Sequence, residues 1–173
     1  FDARGFLNDR DIKATFYIVS GILGELWEGE KVIQTEELKK LSEEGHEIGS
    51  HTVSHPFLTE LGEENIEKEV VNSINKLENI IGKEIQTFAY PYGDFNQKVE
   101  GVLEETDIET ALTTEPKCVR GFQRPLRTPR LTVLGSHDIS HVKRMANGKN
   151  HFHRNYWHFA LKSVKDKSLR HSF

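Results

Sequence analysis

Hydrophobic positions along this chain change their period as it runs. Ile12-Lys-Ala-Thr-Phe-Tyr-Ile-Val19 is dense in β-branched and aromatic residues and stops at Ser20-Gly21, the pattern of a buried strand. Ahead of it, Phe6 and Leu7 are the apolar contacts of a helix over residues 1–11 that opens in mid-pattern, as a piece of a longer domain would. From Gly62 to Ile81 the period lengthens. Ile66, Val70, Ile74, Leu77 and Ile81 recur at steps of four and three, charges fill the outside, and Gly82 ends the run, which predicts a long amphipathic helix. A shorter helix over Glu36–Glu44 takes Thr35 as its cap and Gly45 as its stop. Another starts at Asn96 and runs through Thr106, with Val99, Val102 and Leu103 facing inward. Short strands are expected at His46–Ser50, Glu84–Tyr90, Glu109–Thr114 and Arg130–Leu134. Gly21–Lys31 and Pro116–Pro129 read as loops and Pro91–Asp94 as a turn.

Strand and helix therefore alternate over residues 12–134, which predicts an α/β fold of parallel strands wrapped by helices. In such folds chemistry gathers at the carboxyl ends of the strands. His51 and Pro91 both fall just past such ends. Residues 138–173 break the alternation, being basic and rich in histidine, and divide the chain into a domain over 1–137 and a tail over 138–173. Within that tail Tyr156–Leu161 has room for a helical turn or two, and its histidines read either as a metal-binding tract or as a solvated surface.

Composition changes this picture little. With 173 residues, 36% hydrophobic, the chain fills one domain with its own core, and a net charge of −4 of mixed sign excludes a nucleic-acid or membrane-surface footprint. No apolar run approaches the ~20 residues of a membrane span. One cysteine, Cys118, excludes an internal disulfide framework.

The chemistry stands in Gly49-Ser-His-Thr-Val-Ser-His-Pro56. Histidines four apart fall on one face of a helical turn, where one divalent cation reaches both imidazoles; equally, His51 and His55 read as polar residues of a loop after a strand. Two ligands alone do not make a site.

Three motifs in fixed order add to this: Lys13-Ala-Thr-Phe-Tyr17, His51-Thr-Val-Ser-His-Pro56 and Phe88-Ala-Tyr-Pro-Tyr-Gly93. Together they resemble the NodB-type polysaccharide deacetylases, carbohydrate esterases that remove N-acetyl groups from chitin-like and peptidoglycan glycans, over about residues 3–134. The resemblance implies an irregular (β/α) barrel, here with its first strand missing. It also implies a polysaccharide substrate, metal-assisted amide hydrolysis and a tendency toward the cell envelope. Zinc is the expected metal, with cobalt, nickel or iron as alternatives. His51 and His55 match the family's metal-binding histidines. Pro91, Tyr92 and Gly93 match its third motif, with the Tyr92 backbone N–H as oxyanion donor. Tyr90, Tyr92, Trp27 and Phe57 are expected to face sugar rings, and each is equally expected in core or rim packing.

The first motif, T-F-D-D, which supplies a base and a third metal ligand, does not occur in the sequence, and Asp2 is the stand-in to consider. Ala89 occupies the position of the family's arginine, for which Arg130 is the candidate, with a surface role as its alternative. His137, in Leu134-Gly-Ser-His-Asp138, superficially matches the motif carrying the acid. Two rival expectations stand beside the enzyme. One is a truncated or degenerate member that folds and binds glycan or metal without turnover, the other a structural α/β domain whose histidine pair is incidental.

Overall fold

The computed structural model describes residues 3–27, 29–117 and 125–147. Residues 1–113 with 121–128 form one compact unit, and 114–120 with 129–173 form another.

Four strands of the first unit make a parallel sheet: β1 (Thr15–Ile18), β4 (Glu47–Ser50), β5 (Thr87–Ala89) and β6 (Thr110–Leu112), in spatial order β1-β4-β5-β6. Its register pairs Phe16 with Ile48, Ser50 with Phe88, and Phe88 with Ala111. Each strand is shorter than its apolar run. Ile85, outside the ladder, is fully buried, while Ile12 is 44% exposed. The hydrophobic pattern thus overruns the ladder at both strands, into the core at Ile85 and out to solvent at Ile12.

The helices follow the sequence closely. Helix α1 spans Ala3–Asn8, α2 Thr35–Glu43, α3 Glu63–Ile81 and α4 Gln97–Glu104. Ile66, Val70 and Leu77 of α3 are completely buried, and Gly82 closes it in the left-handed region at φ 69°. Asn96 caps α4 as expected, its side chain accepting from the N–H groups of Lys98 and Val99. The cap of α2 is Gln34 rather than Thr35. Gln34 and Glu37 bond reciprocally in a capping box, and Thr35 already has helical geometry.

Other expectations fail as well. Gly21–Lys31 is not all loop, because a turn of 3₁₀ helix at Ser20–Ile22 leads into a two-residue hairpin, β2 (Leu26–Trp27) against β3 (Glu30–Lys31). The strand at Arg130–Leu134 does not form. The last parallel contact is made by Thr128, which bridges Leu112, and Pro129 follows with no N–H to continue a ladder. Within the second unit, helix α5 (Ile139–Ala146) rises where only a tail was expected. Asp138 caps it by accepting from the His141 N–H and the Ser140 hydroxyl, each at 2.7 Å, which holds its carboxyl below the usual range. Cys118, His151, His153, His158 and Tyr156–Leu161 lie outside the described residues. No helix among the described residues is long and apolar enough to cross a membrane.

Candidate functional site

The site begins where β4 ends. The His51 N–H still donates to the Ile18 carbonyl at 3.0 Å, and then the chain leaves the ladder. It turns through the left-handed region twice, at Thr52 (φ 69°) and His55 (φ 61°). For a β-branched threonine this is a true outlier, of the kind that costs ~1–3 kcal/mol and persists only where surroundings enforce it. Here they do. The buried Thr52 carbonyl accepts from the Ser20 N–H and the Ser73 hydroxyl, both at 3.0 Å, and Thr52 Oγ1 accepts from the His55 N–H at 2.9 Å. Val53 and Ser54 both donate their N–H to Glu69 Oε2 at 2.9 Å, and the Ser54 hydroxyl donates to Glu69 Oε1 at 2.6 Å. From the other side, the Gly21 N–H reaches the Val53 carbonyl at 2.8 Å, so close that a Cβ on Gly21 would lie 2.4 Å from that oxygen.

This loop, and no helical turn, is what brings the two histidines together. The helical spacing read from the sequence anticipates that the two rings meet, but a loop and not a helix makes them do so. Their Nε2 atoms stand 3.1 Å apart, with the rings at 73°. The His51 Nδ1 is 2.6 Å from the Ala89 carbonyl oxygen. A carbonyl can only accept, so Nδ1 carries the proton and Nε2 of the neutral ring keeps its lone pair. A backbone carbonyl fixing the tautomer in this way is the usual support of a metal-ligating histidine. Two nitrogens on one tetrahedral zinc at ~2.0–2.1 Å stand about 3.3 Å apart, so the observed pair fits two positions of such an ion. Among the described residues no group of three or more His, Cys, Asp or Glu side chains could hold a metal, and Asp2 lies outside them.

The third motif folds as a turn of 3₁₀ helix over Pro91–Gly93, with Tyr92 left-handed at φ 59°, ψ 3°. Asp94 ties this turn to the Leu58–Glu60 turn, its Oδ2 accepting from Thr59 Oγ1 at 2.5 Å and from the Thr59 N–H at 3.2 Å. Tyr92 packs edge-on against His55 at 4.6 Å and stacks on Phe57 at 4.1 Å. Trp27, on the hairpin and 39% exposed, meets His55 edge-on at 6.1 Å. Aromatic rings thus line His55.

Tyr90 is not among those rings. It is wholly buried between Phe88 and Phe95, and its hydroxyl donates to the Leu126 carbonyl at 2.9 Å. Burial pushes its pKa well up. The expectation that it touches substrate is corrected: its side chain has no surface to offer. Pro91 and Gly93 are buried as well and shape the turn.

Arg130 and His137 belong to the second unit, where His137 Nδ1 accepts from the Leu134 N–H at 3.2 Å and the His137 ring stacks on His141. In the first unit Arg127 forms a two-pronged ion pair with the buried Glu100, as Arg4 does with Glu44.

Sequence reasoning missed Glu69, Ser73 and Asp94, the residues that hold the two motifs in place. One signal was present. Ser73 interrupts the apolar stripe of α3, and a hydroxyl at a buried helix position needs a partner.

Comparison with known proteins identifies the family. The family model described as polysaccharide deacetylase matches residues 3–111, more than half of the 173. Chitin deacetylase 1 of Cryptococcus neoformans is 31% identical over 110 residues, which are 63% of this chain and 22% of that protein. The peptidoglycan-N-acetylglucosamine deacetylase PgdA of Listeria monocytogenes is 29% identical over 110 residues, again 63% and 22%. Among solved structures, IcaB from Ammonifex degensii superposes with a TM-score of 0.73 at 22% identity, covering 84% of this chain and 66% of that one. The chain therefore spans less than two thirds of the length of the curated relatives it matches.

Proposed function

The chain belongs to the polysaccharide deacetylase family, and on that premise we propose that it hydrolyses the acetamide bond of N-acetylglucosamine units in a polysaccharide. The observation that carries this reading is the histidine pair, with its Nε2 atoms 3.1 Å apart and His51 oriented by the Ala89 carbonyl. The relatives named for chitin and for peptidoglycan N-acetylglucosamine both support the substrate class.

His51 and His55 would hold a divalent cation through Nε2, with zinc the best match to an imidazole pair and cobalt, nickel or iron as substitutes. When bound, such a cation supplies Lewis acidity toward water and the acetamide carbonyl. Around it the chain's own residues supply an oxyanion donor and an apolar surface. The backbone N–H of Tyr92 donates to the oxyanion that develops as the carbonyl is attacked. Trp27, Phe57 and Tyr92 give the apolar faces of sugar rings a surface and shield the polar centre from bulk water. His137 and Arg130 are the candidates that the resemblance supplies for the acid on the leaving amine and for the arginine beside the base.

The test uses the chain with zinc or cobalt and chitin oligosaccharides, reading released acetate and new primary amines. Metal-dependent release that His51→Ala and His55→Ala each abolish is the expected outcome. Release that survives either substitution would overturn the assignment. Metal uptake dependent on both histidines, without release, would favour a member that binds and does not turn over.

A further inference from the structure

We propose that Glu69, on α3, is a positioning residue whose carboxylate sets the direction in which His51 and His55 present their Nε2 atoms. The proposal rests on the reading of that pair as metal-holding. Three residues lie between the histidines, and Glu69 holds two of them through the N–H groups of Val53 and Ser54 and the Ser54 hydroxyl. Its three bonds go to the loop and none to an imidazole, so its action is through the backbone.

The loop needs such an acceptor from outside. Left-handed turns at Thr52 and His55 take the intervening N–H groups out of any ladder or helix; the half-buried Val53 donor requires a partner, while that of exposed Ser54 has water as its alternative. The acceptor comes from the longest helix among the described residues, whose stripe Ile66, Val70, Ile74 and Leu77 is anchored in the core. Ser73, one turn beyond Glu69 on the same face, holds the Thr52 carbonyl. Together the two grip both ends of the Thr52–Ser54 segment.

Geometry also says what chemistry position 69 requires. Both amides bond to one oxygen, Oε2, while Oε1 faces the Ser54 hydroxyl. A glutamine offers the same carbonyl to both amides, and its NH₂ can donate to that hydroxyl in place of accepting from it. An aspartate keeps the charge but withdraws the carboxyl by one methylene. Reach, and not charge, should therefore decide the phenotype.

The experiment compares wild type with Glu69→Gln, Glu69→Asp and Glu69→Ala by two readouts, cobalt affinity from calorimetry and amide exchange of Val53 and Ser54 by NMR without metal. Glu69→Gln is expected to stay within about threefold of wild type on both. Glu69→Asp and Glu69→Ala should lose about tenfold or more in cobalt affinity, the scale of a lost supporting bond. Their Val53 and Ser54 amides should exchange at least about tenfold faster while α3 stays protected. Unchanged exchange in Glu69→Asp and Glu69→Ala would overturn the proposal, as would a glutamine variant as impaired as the aspartate. If wild type takes up no cobalt, the metal reading fails separately, and exchange alone decides the role of Glu69.

Discussion

Glu44, just past the last turn of α2, receives Arg4 and Asn8 of α1 on its two carboxylate oxygens. Those donors lower its pKa from the ordinary 4.5 to about 2. Its folded value lies below its unfolded one, so the stabilising contribution is full above about 4.5 and is lost as pH falls through about 2. Carboxyl-carbon NMR should find that midpoint near 2, and in Arg4→Ala it should move back toward 4.5; an unmoved midpoint would mean that Arg4 does not cause the shift. At this scale sequence reading separates residue types well and their surroundings poorly. Tyr90 and Tyr92 are two positions apart and chemically identical, yet one is core and the other lies against His55. What distinguishes them is that β5 still directs position 90 inward, whereas the left-handed turn at 92 redirects the chain, and neither feature is written in a tyrosine.

Elements meet the site at close quarters, and glycines report how close. The Ser20–Ile22 turn approaches the histidine loop so nearly that Gly21→Ala must push backbone from backbone, a displacement that should cost about 1–3 kcal/mol in urea unfolding. Gly101, inside α4 with open space around its Cβ position, is the opposite case. Gly101→Ala should stabilise by about 0.5–1 kcal/mol through helix propensity. Equal effects at the two positions would contradict the packing described. Helices α3 and α4 were legible because each carries a full apolar stripe and a residue that ends or caps it, Gly82 or Asn96. The β2–β3 hairpin was not, because two residues per strand leave no alternation to detect and Leu26 is 74% exposed. The histidine loop was located but not shaped, since its bends depend on Glu69, Ser73 and Gly21, none of them adjacent to it in sequence.

At the scale of the molecule, the alternation of strand and helix predicted a parallel sheet, and the order β1-β4-β5-β6 bears that out for the described strands. Among them β4 and β5 are flanked on both sides and β1 on one. Native-state hydrogen exchange should accordingly rank the amides of β4 and β5 slowest and those of β1 at least about tenfold faster. Uniform protection across the sheet would mean that the outer edge of β1 is covered. The order of the strands also decides how this centre answers to mutation. His51 takes its orientation from the carbonyl of Ala89, thirty-eight positions away in sequence and joined to it by the pairing of β4 with β5. A main-chain carbonyl is present whatever residue is encoded there. Substitution at position 89 by another side chain that fits the core should therefore leave the imidazole held. What orients the ring belongs to the strand pairing and not to the side chain at 89.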